Sequence, residues 1–376
     1  MLLGSYFELP IYLIIWFAVI WLIVFASGHE PIVEFMAISA FGLALGFLIW
    51  QLTGGEAWFN LAWLEKLSAG LTTLRDTIVD RIFLALPEPH GSLLSGILFG
   101  NRLKLDAELI EQFRVVGLSH VVAVSGYNLT ILALNLRSLF RPMLGRRTIY
   151  LSMAVILLFV LISGAPASIL RAAVMAALLL SAEIIGRPSR GVNILIIGAG
   201  LLALFEPKII LEVGFQLSLA ATYGLLRLSP LIAQALESLK IPGVVRNILA
   251  ETLAATILTA PIIITYFERL SLISPVSNLL VLPIIPLLMG LGLIGSLVIL
   301  FSPIIGGYLL LLTWPLLEWT IRLSAYLASL PYSTTNLAFN GWVAAALTLM
   351  IITLTELLQT RLPESKVEAE PALIRP

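Results

Sequence analysis

The chain has 376 residues, of which 59% are hydrophobic and only 12% charged, whereas an ordinary soluble domain carries roughly a quarter charged residues. Together with a mean hydropathy of +1.03, this excludes a soluble enzyme and marks a multi-pass membrane protein. Lys+Arg and Asp+Glu balance at 22 each, so only the placement of charge is informative. Cysteine is absent, which removes disulfides, thiolate metal sites and a Cys nucleophile. The three histidines, His29, His90 and His120, lie far apart, and the aspartates are Asp76, Asp80 and Asp106 alone. A di-metal hydrolase needs a tight His/Asp cluster, so the sequence predicts no metal and no cofactor.

Ile11–Ala26 and Met36–Leu52 are long, nearly uncharged runs and read as an N-terminal transmembrane helix pair within residues 1–53. The first lacks a basic n-region and a small-residue cleavage site, so it reads as a retained helix rather than a signal peptide. Residues 54–116 differ. Over Trp58–Phe83, Leu61, Leu64, Leu67, Leu71, Leu74, Ile78 and Ile82 recur at steps of three and four, with Glu65, Lys66, Asp76 and Asp80 opposite, the pattern of an amphipathic helix lying along the interface. Pro87, Pro89 and Gly91 break it. The apolar stretch Leu93–Phe99 stops at Gly100-Asn101-Arg102, too short to span, and a second amphipathic piece covers Leu105–Val116.

From Gly117 the candidate spans are 118–136, 149–163, 169–186, 192–205, 209–228, 247–266, 272–300 with internal prolines, 304–330 and 337–357. With the N-terminal pair this gives an all-α, polytopic transmembrane helical bundle of about 10–11 membrane segments, some broken or re-entrant, carrying an external amphipathic helix. Residues 117–358 form its main transmembrane domain, and the polar residues 359–376 read as a disordered cytoplasmic tail. Basic residues fall in alternate loops: Arg137, Arg141, Arg146 and Arg147 in one, none in Gly164–Ser168, Arg187 and Arg190 in the next, Lys208 alone, then Arg227, Lys240 and Arg246. Because basic loops are cytoplasmic, Gly117, Ser168, Pro207 and Ser271 are expected outside, with region 54–116 external and the tail inside.

Polar side chains within spans tend to face a bundle interior or a water-filled path. His120 opens one span, followed by Ser125 and Asn128; Arg171 opens another, Glu212 and Gln216 a third, and Ser274, Ser277 and Asn278 a fourth. At about 1.5 Å per residue, all sit between the outer interface and mid-membrane, as the lining of a shared cavity would. Each alone also reads as packing glue between helices. Arg171 and Glu212 read as a cross-helix ion pair, whereas Glu318 and Arg322, at i and i+4, read as a local structural salt bridge. Glu183 and Glu251 lie near cytoplasmic span ends, where long side chains reach water. Gly126 mid-span, and Pro275, Pro283 and Pro286 within 272–300, interrupt regular helix. Such breaks fit a discontinuous helix lining a path, or a kinked packing helix. His120 and Ser125 also raise an intramembrane hydrolase, but five residues of regular helix hold them about 140° apart, so no catalytic residue is assigned.

The stretches Leu94–Phe99, Gly100-Asn101-Arg102, Phe113 and Gly117-Leu118-Ser119-His120-Val121-Val122-Ala123-Val124-Ser125-Gly126-Tyr127-Asn128 resemble the opening motif of the ComEC competence family. Pro166-Ala167-Ser168-Ile169-Leu170-Arg171-Ala172 with Met175 is similar to that family's Arg-Ala helix. Gly214-Phe215-Gln216-Leu217-Ser218-Leu219-Ala220-Ala221-Thr222 after Glu206-Pro207 resembles its Gly-Phe-Gln-Leu-Ser signature, and Ser274-Pro275 with Asn278 and Pro283 its later Ser-Pro, Asn, Pro pattern. Four motifs in the family's order span roughly residues 90–355. Family members commonly carry His where Asn128 stands and Asp where Glu206 or Glu212 stands, exchanges that keep hydrogen bonding or charge.

The resemblance implies a channel in the plasma (inner) membrane that passes single-stranded DNA into the cytoplasm during natural transformation. A DNA receptor, a separate nuclease and a cytoplasmic DNA translocase would be its partners beside the lipid bilayer, and a homo-oligomer is compatible with it. Residues His120, Ser125, Gly126, Asn128, Arg171, Glu212, Gln216 and Asn278 are expected along the path. The family's external oligonucleotide-binding-fold domain and its metallo-β-lactamase-like domain are not expected here, since the interval after Leu52 is short and a polar tail follows Leu358. Arg171 and the Arg137–Arg147 loop suit a polyanion, while Glu212 does so only if neutralised. A transporter or flippase for an anionic lipid or small solute therefore stands as the alternative, with the hydrolase third.

Overall fold

The structure, a computed structural model, describes residues 62–100, 105–122, 129, 137, 140–143, 145–163, 167–185, 191–205 and 207–360. The N-terminal pair, most of the 118–136 span including Ser125, Gly126 and Asn128, the Gly164–Pro166 turn, Arg187, Arg190, Glu206 and the tail from Arg361 lie outside the described residues.

In chain order the helices are α1 (Ala62–Ala85), α2 (His90–Phe99), α3 (Ala107–Val115), α4 (Ser119–Val122), α5 (Thr148–Ile162), α6 (Ala167–Ile185), α7 (Gly191–Phe205), α8 (Val213–Tyr223) and α9 (Ser229–Leu236). There follow α10 (Gly243–Phe267), α11 (Ser274–Val281), α12 (Ile285–Phe301), α13 (Pro303–Leu311), α14 (Trp314–Ala328) and α15 (Gly341–Gln359). Among the described residues the only strands are β1 (Arg269–Ser271) and β2 (Thr334–Asn336), which pair with each other. The chain is thus an all-α, multi-pass membrane protein. Among the described residues, four helical stretches are long and apolar enough to cross a bilayer: Val213–Leu239, Gly243–Phe267, Pro303–Ala328 and Gly341–Gln359. The pair α11 and α12, bent by 47° at its break, makes a fifth, and His90–Phe99, Thr148–Ile162 and Gly191–Ala203 are shorter apolar helices.

The chain divides into two compact units, one of Met1–Phe59, Arg190–Arg269 and Asn336–Pro376, the other of Asn60–Ser189 and Leu270–Thr335. In the second unit, α2 is buried along its whole length and packs against α1, α12 and α14. A helix enclosed on all sides has no solvent-facing polar stripe to keep, and apart from His90 it holds only Gly, Ser, Leu, Ile and Phe. Gly100, at φ 74, ends it in the left-handed region, the C-terminal stop that the Gly100 turn signal predicts. In α1 the face formed by Ile78, Val79 and Ile82 joins the same core. Leu74, placed on that face by periodicity, is instead 40% exposed, one turn before the buried Ile78, Val79 and Ile82. The α12–α13 hairpin closes tightly. A Cβ on Gly306 would lie 2.3 Å from the Ile299 Cα, so only hydrogen fits there.

In the first unit, α8 runs through a π-helical turn, Gly224–Leu228, directly into α9. The sequence reading ended this span at 228 with Arg227 in a loop; the helix continues through it. Pro230 lacks an amide and its ring crowds the carbonyl four residues back. The widened turn before it absorbs that crowding, as π-bulges do. Gly224 also permits close crossing, since a Cβ there would sit 2.7 Å from the Ala254 carbonyl oxygen of α10. The 304–330 span is likewise two helices, α13 and α14, separated by a turn at Leu312 and Thr313.

Candidate functional site

The site grows from the C-terminal end of α3. Asp106 caps its start, its carboxylate accepting from the Glu108 amide at 3.4 Å. At its end the Leu118 amide donates to the Phe113 carbonyl at 2.8 Å and the Gly117 amide to Arg114 at 3.3 Å. With Gly117 at φ 77, this is a Schellman closure, whose flanking apolar pair is Phe113 and Leu118, both buried. Three residues of the opening motif, Phe113, Gly117 and Leu118, are thereby accounted for by backbone geometry.

The turn seats against the start of α11. A Cβ on Gly117 would lie 2.7 Å from the Ser274 Cβ and 3.3 Å from the Ser271 Oγ. The Ser277 hydroxyl reaches the Val116 carbonyl at 2.5 Å and that of Ser274 at 3.0 Å. Asn278 Nδ2 donates to the Ser274 Oγ at 3.4 Å. The Asn278 Oδ1 and Ser271 Oγ are buried and have no hydrogen-bond partner, and a buried, unsatisfied polar atom asks for an explanation. His120 Nδ1 lies 3.1 Å from the Gly117 carbonyl. A carbonyl only accepts, so Nδ1 bears hydrogen, and when the ring is neutral its Nε2 is the acceptor. The His120 ring is exposed. The second unit thus gathers His120 and Asn278 around one loop, with hydroxyl, amide and imidazole groups.

The remaining expected path residues have other surroundings. Arg171 is buried on the first turn of α6, in the second unit. Glu212 and Gln216 belong to the first unit. Glu212 is exposed at the N-cap of α8 without a side-chain capping bond, where a carboxylate complements the helix dipole. Gln216 Nε2 donates to the Ile210 carbonyl at 3.0 Å, closing the short 3₁₀ turn Pro207–Leu211. Ser125, Gly126 and Asn128 lie outside the described residues.

Three charge clusters complete the electrostatics. Arg137 holds Glu183 through both terminal guanidinium nitrogens, Nη1 at 2.8 Å and Nη2 on the other carboxylate oxygen. Glu356, 3% exposed, accepts from the Tyr223 hydroxyl at 2.5 Å and from Arg227 Nε and Nη2 at 2.9 and 2.5 Å. Gln359 Nε2 donates to the Arg227 carbonyl at 2.6 Å. Glu318 pairs with Arg322, as its spacing predicts, and also with His90 Nε2 at 2.7 Å. His90, Tyr223 and Glu356 were not singled out in the sequence. A carboxylate near the end of the last span opposite an arginine at the end of another was the available signal for Glu356. Among the described residues no three His, Asp or Glu side chains gather as metal ligands would.

The sequence model of one family, described as competence protein, matches residues 97–361. The chain belongs to the competence family. It is 27% identical over 221 residues to ComE operon protein 3 of Bacillus subtilis (strain 168). That alignment covers 58% of this chain and 28% of the relative, so the chain spans just over a quarter of that protein's length. No solved structure matches. The family match takes in the Gly117 turn, Arg171, the Gln216 helix and the Asn278 helix together.

Proposed function

We propose that this chain is an inner-membrane channel that passes single-stranded DNA into the cytoplasm during natural transformation. The observation that carries the reading is the seating of the Gly117 turn on Ser274, Ser277 and Asn278 at the head of a proline-broken helix. Two motif stretches separated by some 160 residues meet at the kind of discontinuous helix that transporters use to line a path. Residues 117–358 form the conducting domain in this reading. His120, Ser125, Gly126, Asn128, Arg171, Glu212, Gln216 and Asn278 lie along the path, which contacts DNA through neutral polar groups as well as through Arg171. The Arg137–Glu183 and Arg227–Glu356 pairs tie helix to helix. A receptor, a nuclease and a cytoplasmic translocase act with it as separate proteins.

Binding of single-stranded oligonucleotides to the purified full chain tests the reading. Affinity is expected to fall linearly on a log-log plot as salt rises, as counterion release requires. Absence of binding at low salt, with transport of an anionic lipid instead, makes the chain a flippase. Covalent labelling of Ser125 by a fluorophosphonate makes it a hydrolase.

A further inference from the structure

The discontinuous helix is braced by a side chain from another helix. Pro283 and Pro286 have no amide, so the carbonyls of Leu279 and Leu282 lose their usual donors four residues on. Leu282 recovers one from the Ile285 amide at 3.2 Å, while the Ile284 amide turns to Val281 at 3.0 Å. Leu280, the carbonyl that an unbroken helix gives to residue 284, is thereby deprived of its backbone donor. Within hydrocarbon no water replaces it. The indole Nε1 of Trp319 on α14 donates to the Leu280 carbonyl at 3.3 Å.

Side chains on either side of Trp319 set the rotation of α14. Glu318 is held by His90 of α2 and by Arg322, and Trp314 stacks on the His90 ring with centroids 5.5 Å apart and planes at 28°. Trp319 is 49% exposed, so its ring also reads as a lipid-facing apolar surface. A lipid-facing ring does not need its N–H aimed at a backbone carbonyl freed by a helix break. We infer that Trp319 is a positioning residue: its N–H holds the bend between α11 and α12, and so holds Ser274, Ser277 and Asn278 against the Gly117 turn. The consequence for transport rests on the reading of α11 as part of the DNA path, whereas the bend itself is measurable without DNA.

The test uses the full chain in lipid nanodiscs. The chain has no cysteine, so spin labels go on Val276→Cys and Leu297→Cys, at exposed positions on either side of the bend. Trp319→Phe is expected to shift or broaden the inter-label distance distribution and to lower transformation per folded molecule at least tenfold. Tyr326→Leu, which removes an exposed aromatic from the same helix, is expected to leave both unchanged. If Trp319→Phe does not accumulate, benzothienylalanine at 319 keeps the bicyclic shape, replaces the N–H with sulfur, and makes the same comparison. An unchanged distance distribution without the N–H overturns the proposal; an altered bend with full transformation sustains the bracing and overturns its consequence for transport. An altered bend in a chain whose wild-type form moves no DNA sustains the bracing role and refutes the path reading instead.

Discussion

Replacing Gly117 with alanine strikes the contact on which the site is built. At φ 77, any L side chain meets the left-handed penalty of about 1–2 kcal/mol. The added methyl would also stand 2.7 Å from the Ser274 Cβ and 3.0 Å from its Oγ, an overpacking that costs about 1–3 kcal/mol. Together the change destabilises by roughly 2–5 kcal/mol, or about thirty-fold to several thousand-fold in the folding equilibrium. Equilibrium unfolding of the full chain in detergent, followed by circular dichroism, reads this directly. Gly70→Ala is the control, because nothing lies within 4 Å of a Cβ there, and alanine in a helix interior stabilises by about 0.5–1 kcal/mol. Adding Ser274→Gly to Gly117→Ala removes the Ser274 contact but not the backbone strain, so the double variant should recover only the overpacking share. A wild-type midpoint for Gly117→Ala, or complete rescue by Ser274→Gly, refutes the geometry.

In the first unit, Glu356→Ala strands the Arg227 guanidinium and should destabilise by about 3–5 kcal/mol, while Tyr223→Phe, which removes one donor, should cost about 1–2 kcal/mol; the same unfolding assay checks both. Replacing Arg227 and Glu356 together by Met and Leu should cost much less than Glu356→Ala, because no charge is left unpaired. Gly306→Ala should abolish accumulation of folded protein, since its Cβ meets Ile299 backbone at 2.3 Å, whereas Gly307→Ala, with nothing within 4 Å, should accumulate normally on a membrane blot. A cysteine at Gly164 should react with an impermeant maleimide in whole cells and one at Arg146 should not; the reverse pattern inverts the charge-based orientation.

Local features were legible in the sequence wherever a residue's chemistry acts on its own backbone. Gly100 stops α2, Pro283 and Pro286 break the 272–300 run, and α3 falls within the amphipathic stretch 105–116. A boundary and a buried face slipped. The π-helical turn, which absorbs the crowding of Pro230, carries the helix past Arg227, and Leu74 is exposed although its spacing puts it with Ile78 and Ile82. Partners separated along the chain were the least legible. His90 to Glu318, Arg227 to Glu356 and Ser277 to Val116 are contacts across more than a hundred residues. A sequence displays the residue types that need partners, but tertiary packing selects which ones meet. Gln216, expected along the path, also donates its amide nitrogen to the turn beside it, a contact its residue type alone does not display.

The central claim concerns passage of DNA across the inner membrane. Its most direct measurement follows labelled transforming DNA in the source organism, scoring separately the DNA held outside the inner membrane and the single strands recovered from the cytoplasm. Cells lacking the gene, and cells carrying a stable Asn278→Leu, Gln216→Leu variant at wild-type abundance, should hold external DNA normally and yield at least tenfold less in the cytoplasm. Normal cytoplasmic recovery in the deleted strain would contradict the channel assignment, and normal recovery with the double variant would remove these residues from the path.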